Sequence, residues 1–147
     1  MTDNLKKLYT EIIKRHNHAP FHFEKGMGEK ETVKAYNPVC GDRFEFFVQR
    51  DANDFLTFHF HGFGCAISKA SSSILAQTLE GKSPDEALII CNNFLRYVKN
   101  ELKAAESVME PEFLAFSALH EFPERYDCAA LSWIEVRDYL KGQNPNK

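Results

Sequence analysis

Three cysteines and an aspartate are the side chains with the types and placement for shared chemistry. Cys40 and Asp42 stand two apart in Asn37-Pro38-Val39-Cys40-Gly41-Asp42, Cys65 follows Gly62-Phe63-Gly64, and Cys128 opens Cys128-Ala129-Ala130-Leu131-Ser132-Trp133. Three sulfurs and one oxygen suit a tetrahedral zinc site, and thiolates equally hold iron–sulfur clusters. No Cys-x-x-Cys pair occurs: residues 41–64 and 66–127, 24 and 62 of them, separate the three thiols, so spacing alone leaves their meeting open. At 147 residues the chain can build a core without disulfides, which favours free thiols or metal ligands.

The elements around these residues put all four at ends. Leu56, Phe58 and Phe60 alternate with Thr57, His59 and His61, as in a strand with one apolar face, here taken as Phe55 to His61. Ile67, Ala70, Ile74 and Leu75 then fall at helical spacing, with Ser71, Ser72 and Ser73 between them, and Gly81 stops the helix after Leu79. Cys65 therefore lies at a helix N-terminus, where free N–H groups and the dipole favour a thiolate. The plain alternative is a small buried hydrophobe at a helix start. Pro38 and Gly41 set a turn between strands at Glu31–Tyr36 and Arg43–Arg50, so Cys40 and Asp42 project from a tight loop. Ends of elements can converge at one rim.

The remaining segments supply the frame. Leu5, Leu8, Ile12 and Ile13 mark a first helix over about 3–15, capped by Asp3 or Asn4. After it, His16, His18 and His22 share no helical face and are expected in a surface loop. His59 and His61 are expected on the solvent side of their strand, with His61 near enough to Cys65 in sequence to be an accessory ligand. Asp51-Ala52-Asn53-Asp54 is a turn that makes the strands an antiparallel meander. Ser83, Pro84 and Glu86 form the capping box of a helix whose apolar face is Ala87, Cys91, Phe94, Leu95, Val98 and Leu102, so Cys91 is assigned to the core. Glu110-Pro111 breaks that pattern. A short helical piece over Phe113 to Leu119 follows, then a final helix from Pro123 through Leu140, with a tail from Gly142 expected to fray. The expectation is one α+β domain over 1–147, core about 5–140: a small three-stranded antiparallel sheet packed with about five helices.

A hydrophobic fraction of 44% with 13 phenylalanines fills one core, and a net charge of -3 with scattered lysines and arginines gives no general pull toward nucleic acid or an anionic membrane. The first residues contain no apolar signal segment and no run of about 18 apolar residues occurs, so a cytoplasmic location is expected.

Taken together, Asn37 to Asp42, Gly62 to Ser71, Phe122-Pro123-Glu124-Arg125 and Cys128 to Trp133 resemble the SufU branch of the IscU-like (NifU N-terminal-like) family of iron–sulfur cluster assembly proteins, collinearly over about 5–140. The long segment from Gly81 to Pro111, Arg125 three residues before Cys128, and Asp127 rather than histidine before Cys128 favour that branch. The resemblance implies an IscU-type fold and a zinc ion held by Cys40, Asp42, Cys65 and Cys128, with iron or a [2Fe–2S] cluster as the alternative. It further implies that Cys40 accepts persulfide sulfur from a SufS-type cysteine desulfurase, that Arg125 is accessory, and that other SUF components and apo iron–sulfur proteins are partners. In the family a desulfurase side chain is thought to replace Cys40 on zinc. Asp42, the hard ligand among soft ones, is expected to exchange most easily. The chain departs from the SufU pattern at His120, where an arginine is expected, and at Asp127, where lysine is common. Both changes reduce positive charge in sequence near Cys128, and Asp127 is a further oxygen that could approach the metal.

Overall fold

Alternation along Leu56–Phe63 (β3) drives Leu56, Phe58 and Phe60 into the interior and leaves Thr57, His59 and His61 half-buried on the other face. Arg43–Arg50 (β2) follows the same rule with Phe44, Phe46 and Val48, and Glu31–Tyr36 (β1) with Val33 and Ala35. In this computed structural model, which describes residues 3–26, 28, 31–101 and 111–143, the strands form an antiparallel sheet in the order β1-β2-β3. The outer edge of β3 is covered on both flanks. Glu24 N–H donates to Phe60 O and Phe60 N–H to His22 O, while Leu56 N–H donates to Lys82 O and Gly81 N–H to Leu56 O.

Helices Asp3–His18 (α1), Ala66–Leu79 (α2), Pro84–Val98 (α3), Pro111–Ala115 (α4) and Tyr126–Gln143 (α5) complete the α+β architecture. Two 3-10 turns, Phe116–His120 and Pro123–Arg125, link α4 to α5. Ser83 caps α3 as expected: its Oγ accepts from Glu86 N–H and donates to Glu86 Oε1, with Pro84 in the first turn. Cys91 is buried in the core, where α3 meets α5 and Phe94 stacks on Trp133 at 4.1 Å between ring centroids. The expected core position Leu102 and the end of the chain beyond 143 lie outside the described residues. Among the described residues no helix is long and apolar enough to cross a membrane.

Two expectations are corrected. The first helix does not end at Arg15, and His16 is not in a surface loop: it is only 5% exposed, on α1, with Nδ1 2.7 Å from Ser73 Oγ. Ser73 Oγ also accepts from Phe21 N–H at 2.8 Å. One hydroxyl thus ties α1, α2 and the following segment together. Ser71, Ser72 and Ser73 are buried as well, because α2 runs through the interior between α1, α5 and β3. Their hydroxyls have partners: Ser71 donates to Ala129 O, and Ser72 to Ser68 O while bonded to Ser132 Oγ. Small polar residues let α5 approach α2 closely, which sets the distance between Cys65 and Cys128.

Candidate metal centre

Register brings two of the thiol-bearing loops together. Arg43 pairs with Tyr36 on one side and Phe63 on the other, so the β1–β2 turn and the corner after β3 emerge side by side. The turn closes through Asn37 N–H to Asp42 O and Gly41 N–H to Asn37 O, with Gly41 at φ +79° where a side chain would be strained. Cys65 is the N-cap of α2: its sulfur accepts from Ser68 N–H at 3.4 Å. Cys128 is the third residue of α5, and the serine contacts between α2 and α5 carry it to the same rim.

One oxygen or sulfur from each of Cys40, Asp42 and Cys128 lies within 4.8 Å of the other two. Cys65 is outside that mutually close group, but its sulfur lies 3.9 Å from Asp42 Oδ2. Asp42 is only 1% exposed and is divided between two tasks. Oδ1 accepts from Cys65 N–H at 2.8 Å, and Oδ2 accepts from the Cys40 thiol at 3.1 Å. Asp42 is thus anchored through Oδ1, independently of the contact its Oδ2 makes with Cys40. Cys40 is exposed beside Val39, which is 94% exposed at the turn tip.

The donor set fits a cation. Burial first, then Cys65, Asp42 and Cys40, push the Cys128 thiol up to about 12, so without a positive ion this sulfur holds its proton. At Cys40 the backbone N–H of Asp42 favours the thiolate, but the Asp42 carboxylate, desolvation and Cys65 together outweigh it and the thiol is raised. Three sulfurs and a carboxylate this close become jointly ionised only when a metal balances them.

Arg125 borders this cluster on the side of Cys65. It lines a cleft of about 470 Å³ with Tyr9, Cys65, Ala66, Ile67, Leu119, Phe122 and Glu124. Tyr9, from α1, is a neighbour that sequence reasoning missed: burial raises its phenol, Arg125 opposes, and Cys65 and Cys128 add to the rise. Nothing in the pattern of α1 sets Tyr9 apart from the apolar residues beside it. Ser68 was missed too, although its place three residues after an N-cap is a readable signal. His61 is not in the cluster, and its ring lies against Phe23. His120 turns away, with Nε2 donating to Tyr97 O at 2.8 Å, and Asp127 is exposed and outside the ligand group. Neither departure from the SufU pattern therefore adds a ligand among the described residues.

The chain also matches a known family and several known proteins. Residues 8–131 match the family described as NifU-like N terminal domain. The chain is 34% identical over 138 residues to an iron–sulfur cluster assembly scaffold protein IscU of Streptococcus pyogenes, covering 93% of this chain and 85% of that one. It is 32% identical over 131 residues to the zinc-dependent sulfurtransferase SufU of Bacillus subtilis, covering 88% and 87%. Its fold superposes with a TM-score of 0.80 on a candidate SUF-system scaffold from Fervidobacterium islandicum, at 24% identity and over 92% of this chain and 98% of that one.

Proposed function

The chain belongs to the NifU-like N-terminal domain family, and from that membership we propose that it serves iron–sulfur cluster assembly as a zinc-bound acceptor of persulfide sulfur from a cysteine desulfurase. The observation that carries this reading is the asymmetry of the four candidate ligands: Asp42 is buried and Cys65 and Cys128 half-buried, whereas Cys40 stands exposed at the tip of a hairpin turn.

Zinc at these four groups would keep the sulfurs ionised at neutral pH, so the nucleophile would need no separate base. The protein's own residues do the rest. Asp42 spans Cys40 and Cys65 and holds the turn against α2. The turn presents Cys40 outward, where a partner can reach it without opening the core. Cys40 thiolate then attacks the outer sulfur of the partner's Cys–S–SH. A sulfur–sulfur bond forms at Cys40, the partner's sulfur–sulfur bond breaks, and the partner's cysteine leaves as thiolate. Val39 and Phe63, 94% and 67% exposed, flank the site with apolar surface suited to a protein partner. Arg125 on the adjoining cleft supplies a positive charge for the same docking.

The names of the relatives favour a second reading, a scaffold on which a [2Fe–2S] cluster is built and passed on with the same four ligands. One assay tests the first reading. The protein is mixed with a SufS-type desulfurase and cysteine, and sulfide release is measured. Stimulation that disappears in Cys40→Ala supports sulfur acceptance, and equal stimulation by Cys40→Ala overturns it. Anaerobic reconstitution of a cluster that passes to an apo-ferredoxin would support the scaffold reading.

A further inference from the structure

We propose that Ser68 is a positioning residue for the Cys65 sulfur, its hydroxyl turning from the Cys65 carbonyl to the sulfur when a metal ion is bound. This rests on the metal–thiolate reading above and adds to it a reason why Cys65 stays while Cys40 reacts.

Ser68 is 2% exposed, in the first turn of α2. Its N–H donates to Cys65 Sγ at 3.4 Å, and its Oγ lies 3.5 Å from the same sulfur. The hydroxyl proton is committed elsewhere, to Cys65 O at 3.1 Å, so it is the thiol that donates to Ser68 Oγ. A sulfur bound to a metal ion has no proton to donate. With the hydroxyl unchanged, an oxygen lone pair would then face a negatively charged sulfur. Rotation about the Cβ–Oγ bond removes the conflict by aiming the O–H at the sulfur. Cys65 O is not orphaned by this, because Lys69 N–H also donates to it, at 3.0 Å.

The surroundings hold the hydroxyl in place for that turn. A Cβ on Gly64 would lie 2.6 Å from Ser68 Oγ and 2.6 Å from Asp42 Oδ1, so the glycine backbone forms a wall against both groups. Ser72 Oγ donates to Ser68 O at 2.9 Å and steadies the turn behind it. With metal bound, Cys65 receives an N–H and an O–H from a buried residue. Cys40 receives the Asp42 N–H and is open to solvent. Hydrogen bonds donated to a thiolate withdraw charge from it and make it a poorer nucleophile. Ser68 thereby separates a retained sulfur from a reactive one.

The test compares Ser68→Ala and Ser68→Thr in the full-length protein loaded with cobalt(II) or zinc. Loss of the hydroxyl should move the sulfur-to-cobalt charge-transfer bands to lower energy and weaken metal binding by about 10–100-fold. It should also raise iodoacetamide labelling of Cys65 relative to Cys40 in the zinc form, and Ser68→Thr should return all three toward wild type. Unchanged cobalt bands and labelling in a folded Ser68→Ala overturn the proposal. If Ser68→Ala does not fold, wild-type protein loaded with cadmium-113 decides. A scalar coupling from the metal to the buried Ser68 hydroxyl proton supports the proposal, and its absence overturns it. No desulfurase is present in these measurements. A wild type that binds cobalt at its thiolates but accepts no sulfur would sink the proposed function alone, and sulfur acceptance with unaltered Ser68→Ala spectra would sink the Ser68 role alone.

Discussion

Asp42 Oδ1 accepts a 2.8 Å hydrogen bond from the backbone N–H of Cys65, which fastens the turn bearing Cys40 to the start of α2. The bond needs Gly64 before it. Phe44 Cε2, at 3.0 Å from an added Cβ, closes the third side of the space that Asp42 and Ser68 already fill. Gly64→Ala should therefore displace the Asp42 carboxylate, cost about 1–3 kcal/mol of stability, and lower metal occupancy. Urea unfolding and metal analysis of the same preparation check this, and full occupancy at wild-type stability would contradict it.

Cys65→Ser should lose metal first and sulfur acceptance as a consequence, because Cys65 is both a candidate ligand and the N-cap of α2. The serine oxygen can still cap the helix, so the fold should survive with a loss of at most about 1 kcal/mol. Zinc per chain measured after dialysis, beside a far-ultraviolet circular dichroism spectrum, separates the two effects. Stoichiometric zinc in a folded Cys65→Ser would show that the anchor is misplaced.

The metal-free protein should lose stability as pH rises beyond the ordinary thiol range. Burial and its neighbours push Cys128 up to about 12, and burial raises Cys91 in the same direction. An unfolded chain releases these protons at lower pH than the native one, so above the unfolded thiol value the native state holds more protons and stability falls with pH. Zinc binding runs the other way with acid: it displaces thiol protons, and affinity should drop as pH is lowered. Chemical unfolding with and without chelator, and chelator competition between about pH 6 and 8, give the two slopes.

Acid should destabilise the protein through His16. Burial first, then the Arg15 charge, hold its imidazole below the usual value, with Glu112 opposing. The native state favours the neutral ring, so the stabilisation is complete above the unfolded histidine value, about 6.5, and declines as pH falls below it. His16→Asn keeps a hydrogen-bonding group near the Nδ1 position for Ser73 Oγ and cannot titrate. Its unfolding free energy should vary less between about pH 7 and 5 than that of wild type, and an equal slope would refute the assignment.

Much of the frame was legible along the chain because its signals are local. Alternation in β3, the Ser83 cap of α3, Gly81 after α2 and the Pro38–Gly41 turn each depend on residues a few positions apart. Cys65 could be placed at a helix start for the same reason. The histidines and serines could not be read this way. His16 resembles a surface residue until Ser73, 57 positions on, is brought against it, and the burial of Ser71 and Ser72 becomes legible only when α5 supplies Ala129 O and Ser132 as partners.

By itself, the sequence determined the chemical inventory: three thiols and a carboxylate at the ends of elements, in motifs that point to one family. Only the tertiary structure decided their arrangement. Cys40, Asp42 and Cys65 meet because the β1–β2–β3 register aligns two loops, and Cys128 joins them because small hydroxyl side chains on α2 admit α5. Tyr9, Arg125 and the Ser68 hydroxyl take up their places around the site through the same packing. Convergence of groups tens of residues apart depends on packing and register, and no local pattern encodes either.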